Sequence, residues 1–154
     1  MTSINRVSAP LAFPALLLAL GLAGCVSSPM KEAVRSDEAP SPIGPYSQGI
    51  KVGNLLFLSG QTGTDPKTNQ LNPGSIEDQT RQTLENLAAV LRANGMSMEN
   101  VVNTTVFLKD VNDFGKMNAV YATFFKDKPP ARATVQVARL PRDALVEISA
   151  IASK

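Results

Sequence analysis

Two short strand-like runs of largely apolar residues between positions 46 and 60 predict a hairpin. The segments Gln48 to Val52 and Leu55 to Ser59 have the composition of strands, and Gly53-Asn54 separates them. Because this dipeptide tolerates the positive φ angles of a tight turn, the strands are expected to pair antiparallel. Residues 62–74 are rich in glycine and proline and are expected to form a loop.

A helix with one buried face is predicted after this loop. Ser75 and Asp78 have the spacing of a capping box, and Gly95 marks the end of the helix. Between them, residues suited to a buried stripe recur at helical spacing: Ile76, Thr80, Leu84, Leu87 and Leu91. This pattern is typical of a surface helix that packs one side against a core.

The second half of the chain predicts a strand, a second helix and two more strands. The helix is expected to start at Asn112 or Asp113. Its apolar side carries Phe114, Met117, Tyr121 and Phe124 or Phe125. Strands are expected at residues 101–108, 132–137 and 145–152, the second of them after the extended pair Pro129-Pro130.

The predicted order ββαβαββ indicates an α+β fold with the helices on one face of a sheet. The opposite face of the sheet also needs a cover. A domain of about 110 residues has little chain left to provide one, so an oligomer is the simplest solution.

The N-terminal segment has the pattern of a bacterial export signal followed by a lipid attachment site. Arg6 precedes the apolar run Leu11 to Leu22, which is too short to span a bilayer comfortably. The run ends at Leu22-Ala-Gly-Cys25, which resembles the lipobox of bacterial prolipoproteins. An uncleaved anchor and a buried N-terminal helix are the alternatives. We predict a signal peptide over 1–24 and a lipid anchor at Cys25 that holds the protein to the cell envelope, facing the periplasm or the outer surface.

Residues 25–41 are predicted to form the lipidated cysteine and a flexible tether. Ser, Pro and charged residues dominate this stretch, and no periodicity is sustained along it. The folded domain is therefore expected to cover residues 42–154.

Composition removes several classes of chemistry. The chain has no histidine and its only cysteine is Cys25, which excludes Ser-His-Asp and Cys-His catalysis, an intramolecular disulfide and the usual zinc sites. The net charge of +2 is not gathered into a basic run, so no nucleic-acid partner is predicted. Proton transfer near neutral pH must come from Asp, Glu, Lys, Tyr or water.

Two charged residues at strand positions are the first candidates for a site. Arg132, in an apolar setting at the start of a strand, suits bidentate capture of a carboxylate. The alternative, which its position alone favours, is that backbone carbonyls or an acid satisfy its charge. Glu147 is the only acid in the last strand. Burial would raise its pKa and make it a candidate base for water, whereas a solvent-facing position would give it no special role.

Four further positions could contribute to binding. Asn118 lies beside the apolar side of the second helix, where it is either a ligand contact or a boundary residue. Tyr46 could present its phenol to a substrate or pack beside the first strand. Ser59 and Gly60 end a strand at a glycine, so that the backbone can approach a ligand closely, although a bulge or turn would also explain them.

Taken together, the motifs resemble the RidA subgroup of the Rid (reactive intermediate deaminase) family, in unbroken order over about residues 39–152. The segments that carry the resemblance are Ile43 to Gln48, Leu58 to Gln61, Asn103 to Asp110, Asn112 to Phe114, Pro130 to Arg132, Ala138 to Asp143 and Val146 to Ile148. The resemblance implies a chorismate-mutase-like fold and a homotrimer with clefts between subunits.

The resemblance also implies an activity, the hydrolysis of 2-imino and 2-enamino acids such as 2-iminobutanoate and 2-iminopropanoate to 2-keto acids and ammonia, without a metal or an organic cofactor. Arg132 would bind the substrate carboxylate and Glu147 would position or activate the water. Tyr46, Ser59-Gly60 and Asn118 match pocket residues of the family.

Two positions depart from the RidA pattern. Ser149 stands where a second glutamate is common, and Thr134 stands where a cysteine, serine or alanine is often found. Known RidA substrates arise in the cytosol, whereas a lipidated protein would face the envelope. A carboxylate-binding or holdase-like envelope module on the same fold, without turnover, is therefore the alternative function.

Overall fold

The computed structural model describes residues 30–154, which form one six-stranded mixed sheet with two helices. The strands are β1 (Lys31–Val34), β2 (Gly49–Val52), β3 (Leu55–Thr62), β4 (Val101–Leu108), β5 (Ala131–Gln136) and β6 (Val146–Ser153), and the helices are α1 (Ile76–Ala93) and α2 (Phe114–Phe124). The order across the sheet is β1-β2-β3-β6-β4-β5. The strands β4 and β5 are parallel, and all other neighbours are antiparallel.

The helix α1 starts where the sequence predicts it, after the capping box at Ser75. The Ser75 side chain accepts a hydrogen bond from the Asp78 N–H, and the Asp78 carboxylate accepts one from the Ser75 N–H at 3.0 Å, which completes the capping box. The predicted stripe from Ile76 to Leu91 is buried. The predicted start of α2 is also close: Asp113 precedes the helix but makes no side-chain cap, while Asp110 caps the short helical turn before it.

The core lies between the helices and one face of the sheet. Along β6, residues alternate between fully buried and half-buried, so that Val146 and Ile148 face the helices and Glu147 faces the other way. Leu84 and Leu87 of α1 are also buried in this core. The α+β class with the helices on one face of a mixed sheet is therefore confirmed.

The opposite face of the sheet, hereafter the open face, is only partly covered. Phe57 on β3 and Val135 on β5 are 43% and 45% exposed, and Phe107 on β4 is half-buried between Glu147 and Val135. Large apolar side chains are thus left facing outward on the described part of the chain.

The prediction of a flexible tether up to residue 41 is wrong for its described part. The strand β1 pairs antiparallel with β2, and Ser36 and Ala39 are buried. The side chain of buried Gln48 accepts a hydrogen bond from the Ser36 N–H (2.7 Å) and donates to the carbonyls of Ser36 (3.0 Å), Ala39 (3.3 Å) and Pro40 (2.9 Å). The segment is ordered without hydrophobic periodicity because it pairs with the edge of β2 and is held by the amide side chain of Gln48.

The predictions for the signal peptide over 1–24 and for lipidation at Cys25 concern residues outside the described part of the chain. Within residues 30–154, neither helix has the length and apolar character needed to cross a membrane.

Candidate functional site

The candidate site residues predicted from the sequence fall into two groups within one chain. Asn118 and Arg132 line a cavity at the start of β5. The second group lines a different cavity, on the open face: Tyr46, Ser59, Gly60 and Glu147. We call these spaces the Arg132 cavity and the Glu147 cavity.

The Arg132 cavity has a volume of about 440 Å³ and lies between α2 and the Pro129-Pro130 segment. The carbon at the centre of the Arg132 guanidinium is 4.5 Å from the centroid of the Tyr121 ring and 5.7 Å from that of Phe114. Rings at these distances attract a cation through their negative faces and leave the N–H groups at its edge available. Asn118, one turn before Tyr121, adds an amide to the same wall.

Tyr121 is itself fixed in place. Its hydroxyl is 2.7 Å from the Thr104 hydroxyl, and its ring centroid lies 4.5 Å from that of Phe125. Burial raises the pKa of Tyr121, against the opposing effects of the Thr104 hydrogen bond and of the charge and hydrogen bonding of Arg132, so the phenol is neutral at physiological pH. The surface under Arg132 is therefore rigid and uncharged.

The positive charge of Arg132 has no acidic partner in the described chain. Among residues 30–154, no carboxylate lies within 4.0 Å of its guanidinium. The sequence left open that backbone carbonyls or an acid satisfy the charge of Arg132, and among residues 30–154 the acid is not seen. A guanidinium held on aromatic rings and free of acids can bind a carboxylate through two parallel hydrogen bonds.

The Glu147 cavity has a volume of about 310 Å³, and the carboxylate of Glu147 lies in it above an irregularity in the pairing of β3 with β6. The pairing of β3 with β6 shifts register between Leu58 and Gln61, and Gly60 lies in that shift. A Cβ atom at Gly60 would lie 2.1 Å from Oε1 of Glu147, so only glycine lets the carboxylate lie there. Burial raises the pKa of Glu147, which makes its carboxylate a better proton acceptor once ionised.

The remaining walls of this cavity come from the loop before β2 and the end of β3. Tyr46 is 48% exposed, and its hydroxyl lies 3.4 Å from the Ile43 N–H, which donates to it. The Ser59 hydroxyl donates to the Ser47 carbonyl at 2.7 Å, so it ties the strand to the loop. The Gln48 side chain holds residues 36–40 just before this loop.

Arg132 and Glu147 cannot meet one small ligand within a single chain. Arg132 pairs with Thr104 and Glu147 with Phe107, three residues further along β4, and the two strands flank β4 on opposite sides. Their backbones are roughly 10 Å apart along the strands and about 10 Å apart across the sheet. Arg132 faces α2, and Glu147 points to the open face.

Sequence reasoning placed Tyr121 and Phe114 on the apolar side of α2 but missed their contact with Arg132. The three-residue spacing of Asn118 and Tyr121 was the available signal, because it puts both on one side of the helix. The parallel pairing that sets Thr104 beside Arg132 leaves no local mark in the sequence.

The two departures from the RidA pattern lie on opposite faces of the sheet. Ser149 is half-buried on the same face as Glu147. The hydroxyl of Thr134 is buried near the Arg132 side of β5 and has no hydrogen-bond partner among the described residues. Within residues 30–154, no cluster of three or more histidine, cysteine or acidic side chains could hold a metal ion.

Comparisons with known proteins agree with this fold. Residues 36–154 match the family model described as Endoribonuclease L-PSP. A RutC family protein of Pyrococcus horikoshii is 57% identical over 125 residues, which cover 81% of this chain and 99% of the relative. A mouse protein named 2-iminobutanoate/2-iminopropanoate deaminase is 47% identical over 127 residues, covering 82% and 94% of the two chains.

The fold of this chain also matches that of a solved structure. The crystal structure of RidA from an Antarctic Psychrobacter is 41% identical, has a TM-score of 0.78, and is matched over 80% of this chain and 99% of its own. The chain belongs to the Endoribonuclease L-PSP family, which is the Rid family that the sequence motifs resemble.

Proposed function

We propose that this protein hydrolyses 2-imino and 2-enamino acids, such as 2-iminobutanoate and 2-iminopropanoate, to 2-keto acids and ammonia. The observation that carries the proposal is the guanidinium of Arg132, which rests on Tyr121 without an acidic partner among residues 30–154. It has the charge and geometry for the carboxylate that every such substrate carries. The name of the mouse relative supports the same reaction class.

The complete site would form between copies of the chain. The Arg132 cavity and the Glu147 cavity are separate in one chain, and the open face carries exposed apolar side chains that a second copy would cover. We propose a homotrimer in which Arg132 and Asn118 of one copy face Glu147, Tyr46, Ser59 and Gly60 of the next.

The chemistry then needs only orientation and proton transfer. Arg132 would hold the substrate carboxylate, and the Glu147 carboxylate would accept a proton from water as its oxygen bonds to the imine carbon. Addition to the protonated imine gives a neutral carbinolamine. Glu147 would then return its proton to the nitrogen, the C–N bond would break to release ammonia, and the hydroxyl proton would pass through Glu147 to solvent as the carbonyl forms. No metal or organic cofactor takes part in these steps.

The description of the family names a ribonuclease, but two features of this chain favour the smaller substrate. The chain has no histidine for the usual ribonuclease acid-base chemistry. No basic run is available to follow a phosphate backbone.

The test follows 2-keto acid formation by the purified protein, residues 26–154, while an amino-acid oxidase supplies the imine. We expect acceleration over the uncatalysed reaction, and a loss of at least about a hundredfold in kcat/KM for Arg132→Ala and Glu147→Gln. Arg139→Ala, at an exposed arginine paired with Asp143, is the control and keeps its activity. No acceleration by a well-folded oligomer would refute the proposal, and 2-keto acid binding without turnover would then favour a carboxylate-binding module.

The cellular location is a separate proposal. We propose that Cys25 carries lipid and holds the domain at the cell envelope, on the basis of the sequence pattern alone. Fractionation of cells that express the full chain or Cys25→Ser tests it. Loss of membrane partition in the variant is expected, and a variant that still partitions with membranes would contradict it.

A further inference from the structure

A second arginine lies next to the Glu147 cavity. A small recess of about 50 Å³, lined in part by Arg142, adjoins this cavity. The two spaces share five wall residues: Ile43, Tyr46, Gly60, Thr62 and Pro141. The recess has room for a group of a few atoms, and none of its wall residues is acidic.

The positive charge of Arg142 is not neutralised within the described chain. Its guanidinium donates to the Asn69 carbonyl at 2.5 Å, and among residues 30–154 no carboxylate lies within 4.0 Å of it. The neighbouring basic residues do have an acidic partner. Lys109 and Arg139 both face Asp143, at 2.7 and 3.9 Å. Arg142 is thus the member of this group that is available for an anion.

The backbone around Arg142 adopts a conformation that arginine disfavours. Arg142 and Asp143 have φ angles of 55° and 61°, both in the left-handed region. Asp tolerates this region, but a long side chain such as Arg is uncommon there. Unfavourable backbone conformations of this kind are concentrated at ligand sites. The side chain of Arg142 lines the recess that lies next to the Glu147 cavity.

We propose that the recess is a subsite for a distal acidic group, so that imino diacids such as 2-iminosuccinate and 2-iminoglutarate are preferred over monocarboxylic imino acids. The inference rests on the proposed function. Arg132 of a neighbouring copy would hold the first carboxylate, the imine carbon would lie beside Glu147, and the second carboxylate would bind Arg142. Water adds to the carbon, the C–N bond breaks, ammonia leaves, and both carboxylates stay unchanged.

The experiment compares two four-carbon substrates that differ only in the distal group, 2-iminosuccinate and 2-iminobutanoate, generated by amino-acid oxidases from aspartate and 2-aminobutyrate. Arg142→Asn removes the charge with a residue that tolerates the positive φ angle. Arg139→Asn is the matched control, because it removes the same charge from an exposed neighbour outside the recess. Arg142→Lys keeps the charge.

We expect the native protein to prefer 2-iminosuccinate, and Arg142→Asn to lower kcat/KM for this substrate by about tenfold, the value of one charge-assisted hydrogen bond. The kcat/KM for 2-iminobutanoate stays nearly unchanged, and Arg142→Lys retains part of the preference. Competitive inhibition by the products gives a readout that needs no turnover. Oxaloacetate should inhibit the native protein more strongly than 2-oxobutanoate, and Arg142→Asn should abolish the difference.

Two results would overturn the subsite. One is an unchanged ratio of kcat/KM for the two substrates in Arg142→Asn. The other is an equal loss of kcat/KM for 2-iminosuccinate in Arg139→Asn, which would indicate an effect of long-range charge alone. Either of them, with 2-iminobutanoate still hydrolysed, leaves the proposed function standing. No hydrolysis of either substrate by the native protein would instead refute the proposed function. Melting temperatures of all variants separate loss of fold from loss of binding.

Discussion

At the scale of single residues, the closest fit in the candidate site is between Gly60 and Glu147. The carboxylate of Glu147 occupies the space that a Cβ atom at position 60 would need. The glycine therefore leaves the room in which the carboxylate lies. Burial of the carboxyl group raises the pKa of Glu147.

Gly60→Ala should displace the Glu147 carboxylate without unfolding the domain, because the clash involves the end of a flexible side chain. We expect kcat for imine hydrolysis to fall by about tenfold or more, with a small change in melting temperature. Gly115→Ala is the control, since its Cβ would meet nothing within 4 Å. Full activity in Gly60→Ala would show that the position of Glu147 is not critical.

The raised pKa of Glu147 also predicts how stability changes with pH. Burial opposes the charged form, so the native state holds this proton to higher pH than the unfolded state, and stability is lost as pH rises through the folded pKa. Glu147→Gln should therefore be more stable than the native protein at pH 7 and equally stable below about pH 4. Urea unfolding at both pH values measures the difference, and Glu85→Gln, at an exposed carboxylate on α1, serves as control. A Glu147→Gln variant less stable at pH 7 would contradict this assignment.

At the scale of secondary structure, α1 and β6 could be predicted because each carries its signal locally. The capping box at Ser75 and the largely apolar run that becomes β6 are readable in a few consecutive residues. The strand β1 could not be predicted this way. Its order comes from β2 and from the amide of Gln48, which lies 12 residues after Ser36.

The same distinction applies to the candidate site. Arg132 and Glu147 stand out as charges in apolar strands, so the sequence marks them as candidates. Their environments depend on long-range pairing: Thr104 beside Arg132 across parallel strands, and Gly60 beneath Glu147 at a register shift. Neither pairing can be deduced from local pattern.

Gln48→Leu tests whether one side chain orders the N-terminal segment. The change leaves buried backbone groups of residues 36–40 without partners, and we expect a loss of about 2–4 kcal/mol in the free energy of unfolding. In a chain that starts at residue 41, the same substitution should have a much smaller effect, because those groups are absent. Urea unfolding of the four proteins gives the coupling energy, and an equal loss in both backgrounds would contradict the interpretation.

At the scale of the whole molecule, the fold separates the two groups that the proposed reaction needs. One chain carries Arg132 on the helix side of β5 and Glu147 on the open face of β6. Neither cavity alone combines both groups. Association through the open face would cover exposed apolar side chains and complete the site at once, which links oligomer formation to activity.

The most direct test of this account is subunit complementation. Arg132→Ala and Glu147→Gln are each inactive as homotrimers in our proposal, but every mixed trimer contains one site with both intact residues. Unfolding and refolding a 1:1 mixture should restore about a quarter of the native deaminase activity, with light scattering to confirm trimers. No recovery from well-formed mixed trimers would contradict a site shared between chains.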